Sequence, residues 1–337
     1  MNGRMRRAST IPLAALLLAS ACGYTPPPPE REPIVILTTQ PPETEDPADG
    51  SQGEGGEEPV ESVEIETGRG PCGLAMVAGR LWVTAFSSDA FQIIDPGTNQ
   101  ASEPVELGDQ PCGLTDGAGS VWISYGEGGR VARIDPRSGE VIDQAEIGFG
   151  GAMAFAGGDL WMASFNDNLV LRIDPQRLEV VAEIEVGRGA NSLAVADGAV
   201  WVASFYEDTV SRIDLGTNEV TATVGVGIQP INIAVGAGSV WVANELDGSV
   251  TRIDLATEEV VRTITIGTQA TNVAVGPGGV WVVDGEDGTA VTIDPQTDAV
   301  TGTYEVGANL FGLALGDGSA WVASFTSNTV TRITPGG

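Results

Sequence analysis

The sequence predicts an all-β fold, a seven-bladed β-propeller of four-stranded antiparallel blades over residues 60–337, and three observations carry that prediction. All seven tryptophans, Trp82, Trp122, Trp161, Trp201, Trp241, Trp281 and Trp321, lie 40, 39, 40, 40, 40 and 40 residues apart. Each interval holds four short apolar or alternating segments separated by turn residues. The last interval stops one segment short, and a matching segment stands in front of the first. A fixed period of this length marks repeat architecture, in which one supersecondary unit recurs and stacks on its neighbours.

The unit Pro230–Gly267 shows the elements in order: PINIAVGAG, SVWVANELDG, SVTRIDLATEE and VVRTITIG. Each segment runs or alternates apolar for four to seven residues and is bounded by Gly, Asp or Asn, as a small antiparallel sheet requires. The glycines of VGAGSVW suit a positive-φ hairpin between the first and second strands. Between the third and fourth strands stand Asp95-Pro96, Asp135-Pro136, Asp174-Pro175 and Asp294-Pro295. Aspartate there accepts backbone hydrogen bonds, and proline presets φ for a type I turn. The 46 glycines and 20 prolines fit many short strands joined by tight turns.

One such unit buries too little to stand alone, whereas seven arranged radially bury both faces of every sheet. The simplest role for each tryptophan is to fill the space between blades, against a stacking platform for ligand. The third strand repeats an arginine at Arg133, Arg172, Arg212, Arg252 and Arg332, with Gln92 and Thr292 at the remaining two places. Recurrence around a ring argues for inter-strand or inter-blade partners. The final unit ends on a third strand, Thr329–Thr334, while Val60–Thr67 (VESVEIET) matches the fourth-strand pattern. The segment 60–67 is therefore expected to complete the last blade and close the ring.

Residues 1–21 read as an export signal: Arg4, Arg6 and Arg7, then the apolar run Ile11–Ala19, then Ser20-Ala21 before Cys22. The run is too short for a permanent membrane span, and small residues before a cysteine resemble the lipobox of bacterial lipoproteins. That resemblance makes Cys22 the lipidated first residue of a chain exported and anchored on the outer side of the cytoplasmic membrane or at the cell surface, against the plainer alternative of an ordinary signal peptide whose cleavage leaves a cysteine. Residues 22–59, rich in proline, glycine and acid, read as a disordered tether that spans roughly 35 Å by chain statistics. A net charge of −30, with 16 basic residues that are all arginine and no histidine, repels nucleic acid.

The stretch WVANELDGSVTRIDLATEEVVRTITIG resembles the YVTN β-propeller repeat. PCGLAMVAGRLWVTAF and PCGLTDGAGSVWISY resemble the repeat of streptogramin (virginiamycin B) lyases, which read Pro-His-Gly-Ile followed by Trp-Phe-Thr-Glu. The resemblance implies the propeller fold for residues 60–337. In those lyases histidines of the first motif and carboxylates after the tryptophan build a magnesium-dependent site that cleaves a cyclic peptide's ester link. Here the histidine places hold Cys72, Cys112, Gly151, Asn191, Ile231, Thr271 and Phe311, and the glutamate places hold Ala85, Tyr125, Ser164, Ser204, Asn244, Asp284 and Ser324. One carboxylate in fourteen places, and no His or Lys to serve as base, speak against that chemistry.

Three groups of candidate site residues remain. Hard oxygen donors for Ca2+ or Mg2+, as in a lactonase-like hydrolase, are Asn191, Asn232, Asn244, Asn272 and Asp284, all placed to face the channel, against the plain alternative of good loop-end residues. Cys72 and Cys112 hold equivalent places in consecutive repeats and form a disulfide in an oxidising compartment if their Cα atoms approach within about 7 Å; buried thiols are the alternative. Loops between second and third strands carry aromatic or acidic tips at Phe86, Phe165, Phe205, Tyr206, Glu245 and Phe325, suited either to contact a partner or to pack blade edges. The favoured function is a monomeric, non-catalytic binding or scaffolding module for a protein, peptide or cell-envelope ligand, with the metal-dependent hydrolase or lyase as its competitor.

Overall fold

The computed structural model describes residues 61–126, 129–148 and 150–335. The export signal, Cys22, the tether and Val60 lie outside them. The described chain forms seven antiparallel sheets arranged in a ring, with residues of adjacent inner strands packed against one another all the way round. In blade 5 the strands are Pro230–Gly236, Ser239–Asn244, Ser249–Asp254 and Val260–Thr265, from channel to rim. Blade 1 departs from this pattern because its outer strand is broken into Gln100–Ala101 and Val105–Glu106. Pro104 between them cannot donate to the ladder.

Closure follows the expectation from sequence. Glu61–Glu66 pairs antiparallel with Thr329–Thr334, Glu61 facing Thr334 and Glu66 facing Thr329. Ile65 of the closing strand is buried with Leu81, Trp321 and Val330 between blades 7 and 1. Beyond its end, the Thr67 hydroxyl donates to the Asn328 carbonyl across 261 residues of sequence.

The cores lie between blades, because a two-faced sheet must cover both faces. Trp122 packs with Leu160, Met162 and Ile173 of the next blade, and Trp321 with Leu81 of blade 1. All seven tryptophans are buried, and none lines the channel cavity. Their indole N–H groups are partly satisfied from their own hairpins, as Trp122 to the Gly117 carbonyl at 3.0 Å and Trp241 to that of Gly236 at 3.2 Å.

Two of the repeated glycines have different jobs. Gly238, with φ at +73°, follows Ala237 at +50°, giving the hairpin the two positive φ values of a tight turn. Gly236 is needed for contact rather than for the turn, since a Cβ there would meet Val275 of the next blade at 2.4 Å.

Arg133, Arg172, Arg252 and Arg332 cover the tryptophans of their own blades, and Arg172, Arg212, Arg252 and Arg332 grip the next blade. Arg252 lies 5.1 Å over the Trp241 ring and donates from Nη1 to the Pro295 carbonyl and Asp298, both at 2.7 Å, on the third turn of blade 6. Arg332 does the same from blade 7 to Pro96 and Asn99 of blade 1, and Arg172 from blade 3 to Leu215 and Asn218 of blade 4. In blade 1 the register corrects the sequence alignment: the residue opposite Trp82 is Ile93, not Gln92. Arg80 takes over from the second strand and donates to the Pro136 carbonyl of blade 2. Thr292 in blade 6 has a topological reason. Blade 7 borrows its fourth strand from the N-terminus, so it has no third turn for an arginine to hold.

Those turns also differ from a simple four-residue turn. In blade 5 the Asp254 carbonyl accepts from Glu258 N–H, four residues on and at φ +59°, while its carboxylate accepts from Ala256 and Thr257. The carboxylates of Asp135, Asp174, Asp214, Asp254 and Asp294 are all held below the ordinary carboxylate value, chiefly by such backbone N–H groups.

Candidate functional site

Inner strands begin on the face that also carries the loops between second and third strands. At that start most strands carry a bulge: in blade 5 Pro230 faces Asn244 while Asn232 faces Ala243, and in blade 6 Ala270 faces Asp284 while Asn272 faces Val283. The extra residue opposes no partner and is re-aimed, as bulges commonly do. Similar shifts lie between Pro71 and Leu74, Pro111 and Leu114, Ala190 and Leu193, and Leu310 and Leu313.

The consequence is a cup of about 450 Å³ at the channel mouth. Its rim ring is Cys72, Cys112, Gly151, Asn191, Ile231, Thr271 and Phe311, the seven places that the lyase resemblance assigns to histidines. Below it come Gly73, Gly113, Ala152, Ser192, Asn232, Asn272 and Gly312, and below those a ring of aliphatic side chains, Leu74, Leu114, Met153, Leu193, Ile233, Val273 and Leu313. Phe86, Gly126, Gly150, Phe165 and Asn166 add to the wall from the loop side. Among the described residues that line it there is no Asp, Glu or Arg. The aliphatic ring escapes a search for chemical groups, but it is legible as a column of the aligned repeats two places after the rim column.

The walls are joined in two ways. From blade 7 to blade 3 the backbones approach closely: a Cβ on Gly73 would meet the Cys112 carbonyl at 2.0 Å, and one on Gly312 the Cys72 carbonyl at 2.5 Å. Cys72 and Cys112 are joined there by a disulfide, their Cα atoms 5.4 Å apart. From blade 4 to blade 7 side-chain amides bridge the seams: Asn191 Nδ2 donates to the Ile231 carbonyl at 2.9 Å, Asn272 Nδ2 to that of Phe311 at 2.9 Å, and Asn232 Oδ1 accepts from Val273 N–H at 3.2 Å.

The five oxygen donors proposed from sequence do not converge. Asn191, Asn232 and Asn272 line the cup, but Asn244 and Asp284 are fully buried beneath the loops. Asn244 donates to the hydroxyls of Ser249 and Thr251, and the Asp284 carboxylate accepts the N–H groups of Thr268, Gln269, Glu286 and Asp287. The bulge is the physical reason, since it separates the facing of the two strands by one residue. Among the described residues no group of three or more Cys, Asp or Glu is placed to hold a metal ion, so this donor set does not fit a carboxylate cation site. Tyr125, at another glutamate place, is buried, and burial pushes its hydroxyl up to about 12, which keeps it protonated at neutral pH.

The loop aromatics divide between packing and exposure. Phe165 and Phe205 are buried, 6.0 Å apart between ring centroids, and Phe86 lies 6.1 Å from Phe325 across the seam between blades 1 and 7. Tyr206 stays exposed, edge-on to Phe165 at 5.4 Å. Glu245 occupies the place that is phenylalanine in four other blades. It is only 4% exposed, accepts from Gln269 Nε2 at 3.0 Å, and is pushed by burial up to about 7. Gly285 in the next blade leaves the room for Gln269, whose Oε1 lies 3.0 Å from where a Cβ would stand. The Glu245 carboxylate is not part of the cup lining.

No sequence-family model and no curated protein matches this chain. Solved structures do: a chain from the "Crystal Structure of Mitotic Checkpoint Complex" is similar with a TM-score of 0.71 and 12% identity, covering 90% of this chain and 99% of that one. It is one of 1423 matching chains, and likeness at this identity shows the propeller fold alone.

Proposed function

We propose that this protein is a lipid-anchored, extracytoplasmic binding module that holds a protein, peptide or cell-envelope ligand against the loop face of its propeller, without catalysing a reaction on it. The observation that carries the reading is the cup itself. It is concave and pre-formed, within the size range of ligand sites, and the described residues of its lining offer amides, hydroxyls and aliphatic carbons rather than a general acid or base. Propellers that belong to multiprotein assemblies, such as the chain from the mitotic checkpoint complex, are in keeping with a scaffolding role.

Anchoring through Cys22 rests on the residues around it. Cys22→Ser moves the chain from the membrane fraction to the soluble fraction; retention in the membrane refutes the anchor. For the cup, the intact domain immobilised and exposed to envelope extract retains a component that Asn166→Trp, which narrows the mouth from an exposed position, releases. Retention of nothing above a blank, or equal retention by both forms, refutes the reading.

A further inference from the structure

We propose that the loop face over blades 4 to 6 docks a basic, apolar-anchored segment of a partner polypeptide, an inference that rests on the binding reading above and supplies the chemistry of the partner. Three large apolar side chains are exposed there: Tyr206 at 48%, Ile228 at 46% and Leu246 at 62%. Among the described residues the other exposed large apolar side chains are valines and one isoleucine on outer strands. A single exposed leucine needs no explanation, but three on neighbouring loops of one face do.

The loops that carry these side chains are neighbours on one face, since Gln229 N–H beside Ile228 donates at 2.9 Å to the carboxylate of Asp208 in the loop of Tyr206. Leu246 N–H donates to the Ile228 carbonyl at 3.2 Å, so the two loops run side by side. Tyr206 leans edge-on against Phe165 and Phe205, at 5.4 and 5.2 Å, and Phe165 is part of the cup wall. An apolar path therefore runs from the cup outward across blade 4.

Charge selects the occupant. Glu207, Asp247, Glu286 and Asp287 are exposed on the same three blades. The one arginine in these loops, Arg188, is already paired with Glu207 at 3.1 Å. In a chain of net charge −30 this arc repels an anionic lipid surface or an acidic protein. Arginine and lysine meet it well, because their stems cover apolar surface while their heads reach carboxylates.

The test uses the purified full chain and two fluorescein-labelled decapeptides, one alternating arginine with leucine and one with glutamate in place of arginine, read by fluorescence anisotropy. The arginine peptide binds at least tenfold more tightly than the glutamate peptide, and its affinity falls at least tenfold between 50 mM and 500 mM salt. The double change Glu286→Lys, Asp287→Lys weakens it tenfold or more, and Leu246→Ser several-fold, whereas Glu179→Lys with Glu183→Lys on the outer strand of blade 3 leaves it within twofold. Equal loss from the blade 3 pair means that the whole molecule's field does the attracting and overturns the inference, as does equal binding of the two peptides. A thermal melt of each variant confirms that the fold is intact. If the blade 5 and 6 variants still retain the component captured by the wild-type chain from envelope extract, the binding reading stands and this inference falls; a wild-type chain that captures nothing removes both.

Discussion

Glu245→Gln isolates the energetic consequence of burying one carboxylate among phenylalanine positions. The group is 4% exposed, and its pKa rises from the ordinary 4.5 to about 7 because burial penalises the charged form. A folded pKa above the unfolded one means that the folded state keeps a proton that the unfolded chain has already released, so stability declines as pH rises from 4.5 to about 7. At about 1.4 kcal/mol per pKa unit the full cost is about 3 kcal/mol above neutrality. Glutamine keeps an oxygen to accept from Gln269 and does not titrate. In urea unfolding followed by tryptophan fluorescence, the stability gap between variant and wild type therefore widens by about 2 to 3 kcal/mol between pH 5 and pH 8. Parallel pH profiles for the two proteins would show that the carboxylate is solvated or paired in solution, and the reasoning fails.

Arg252→Ala removes the cover over Trp241 and the two hydrogen bonds to blade 6; a loss of about 2–4 kcal/mol in urea unfolding is expected. Thr292→Arg gives no compensating gain, because blade 7 has no third turn to receive it. Ile65→Asp buries a charge in the closing seam and costs about 3 kcal/mol or more, with amide exchange rising first along Glu61–Glu66 and Thr329–Thr334. Replacing Cys72 and Cys112 together by serine costs about 4 kcal/mol on the chain-entropy estimate, and peptide mapping of the unreduced wild-type chain recovers the two cysteines in one linked fragment. The five turn aspartates have lowered pKa values, so their contribution is present above about pH 4 and lost as pH falls through the lowered values. Asp254→Asn shallows the acid limb of the stability profile.

Blade number and closure were legible because they depend on one-dimensional signals. Tryptophans 39 or 40 residues apart report the inter-blade cores, and the fourth-strand pattern of Glu61–Glu66 marks it as the partner of Thr329–Thr334. The channel mouth was legible only in part. The rim column from Cys72 to Phe311 could be located by aligning repeats, whereas the burial of Asn244 and Asp284 could not, since it turns on a bulge that leaves no residue-type signature. The alignment of Gln92 with the arginine column failed for a related reason: Ile93 faces Trp82, and the grip on blade 2 passes to Arg80, two residues before the tryptophan, where no repeat pattern points.

The strand Glu61–Glu66 is the first part of the ring to be synthesised, and its partner Thr329–Thr334 is the last. Six blades can assemble while the chain is still growing, but the seventh has to wait until Thr329–Thr334 has emerged to meet Glu61–Glu66. Completion of the circle is thus a long-range, late step, of the kind that high contact order makes slow. Until it happens Ile65 has no core to enter, so a nascent or truncated chain is held back at its two ends rather than at any of the repeats between them.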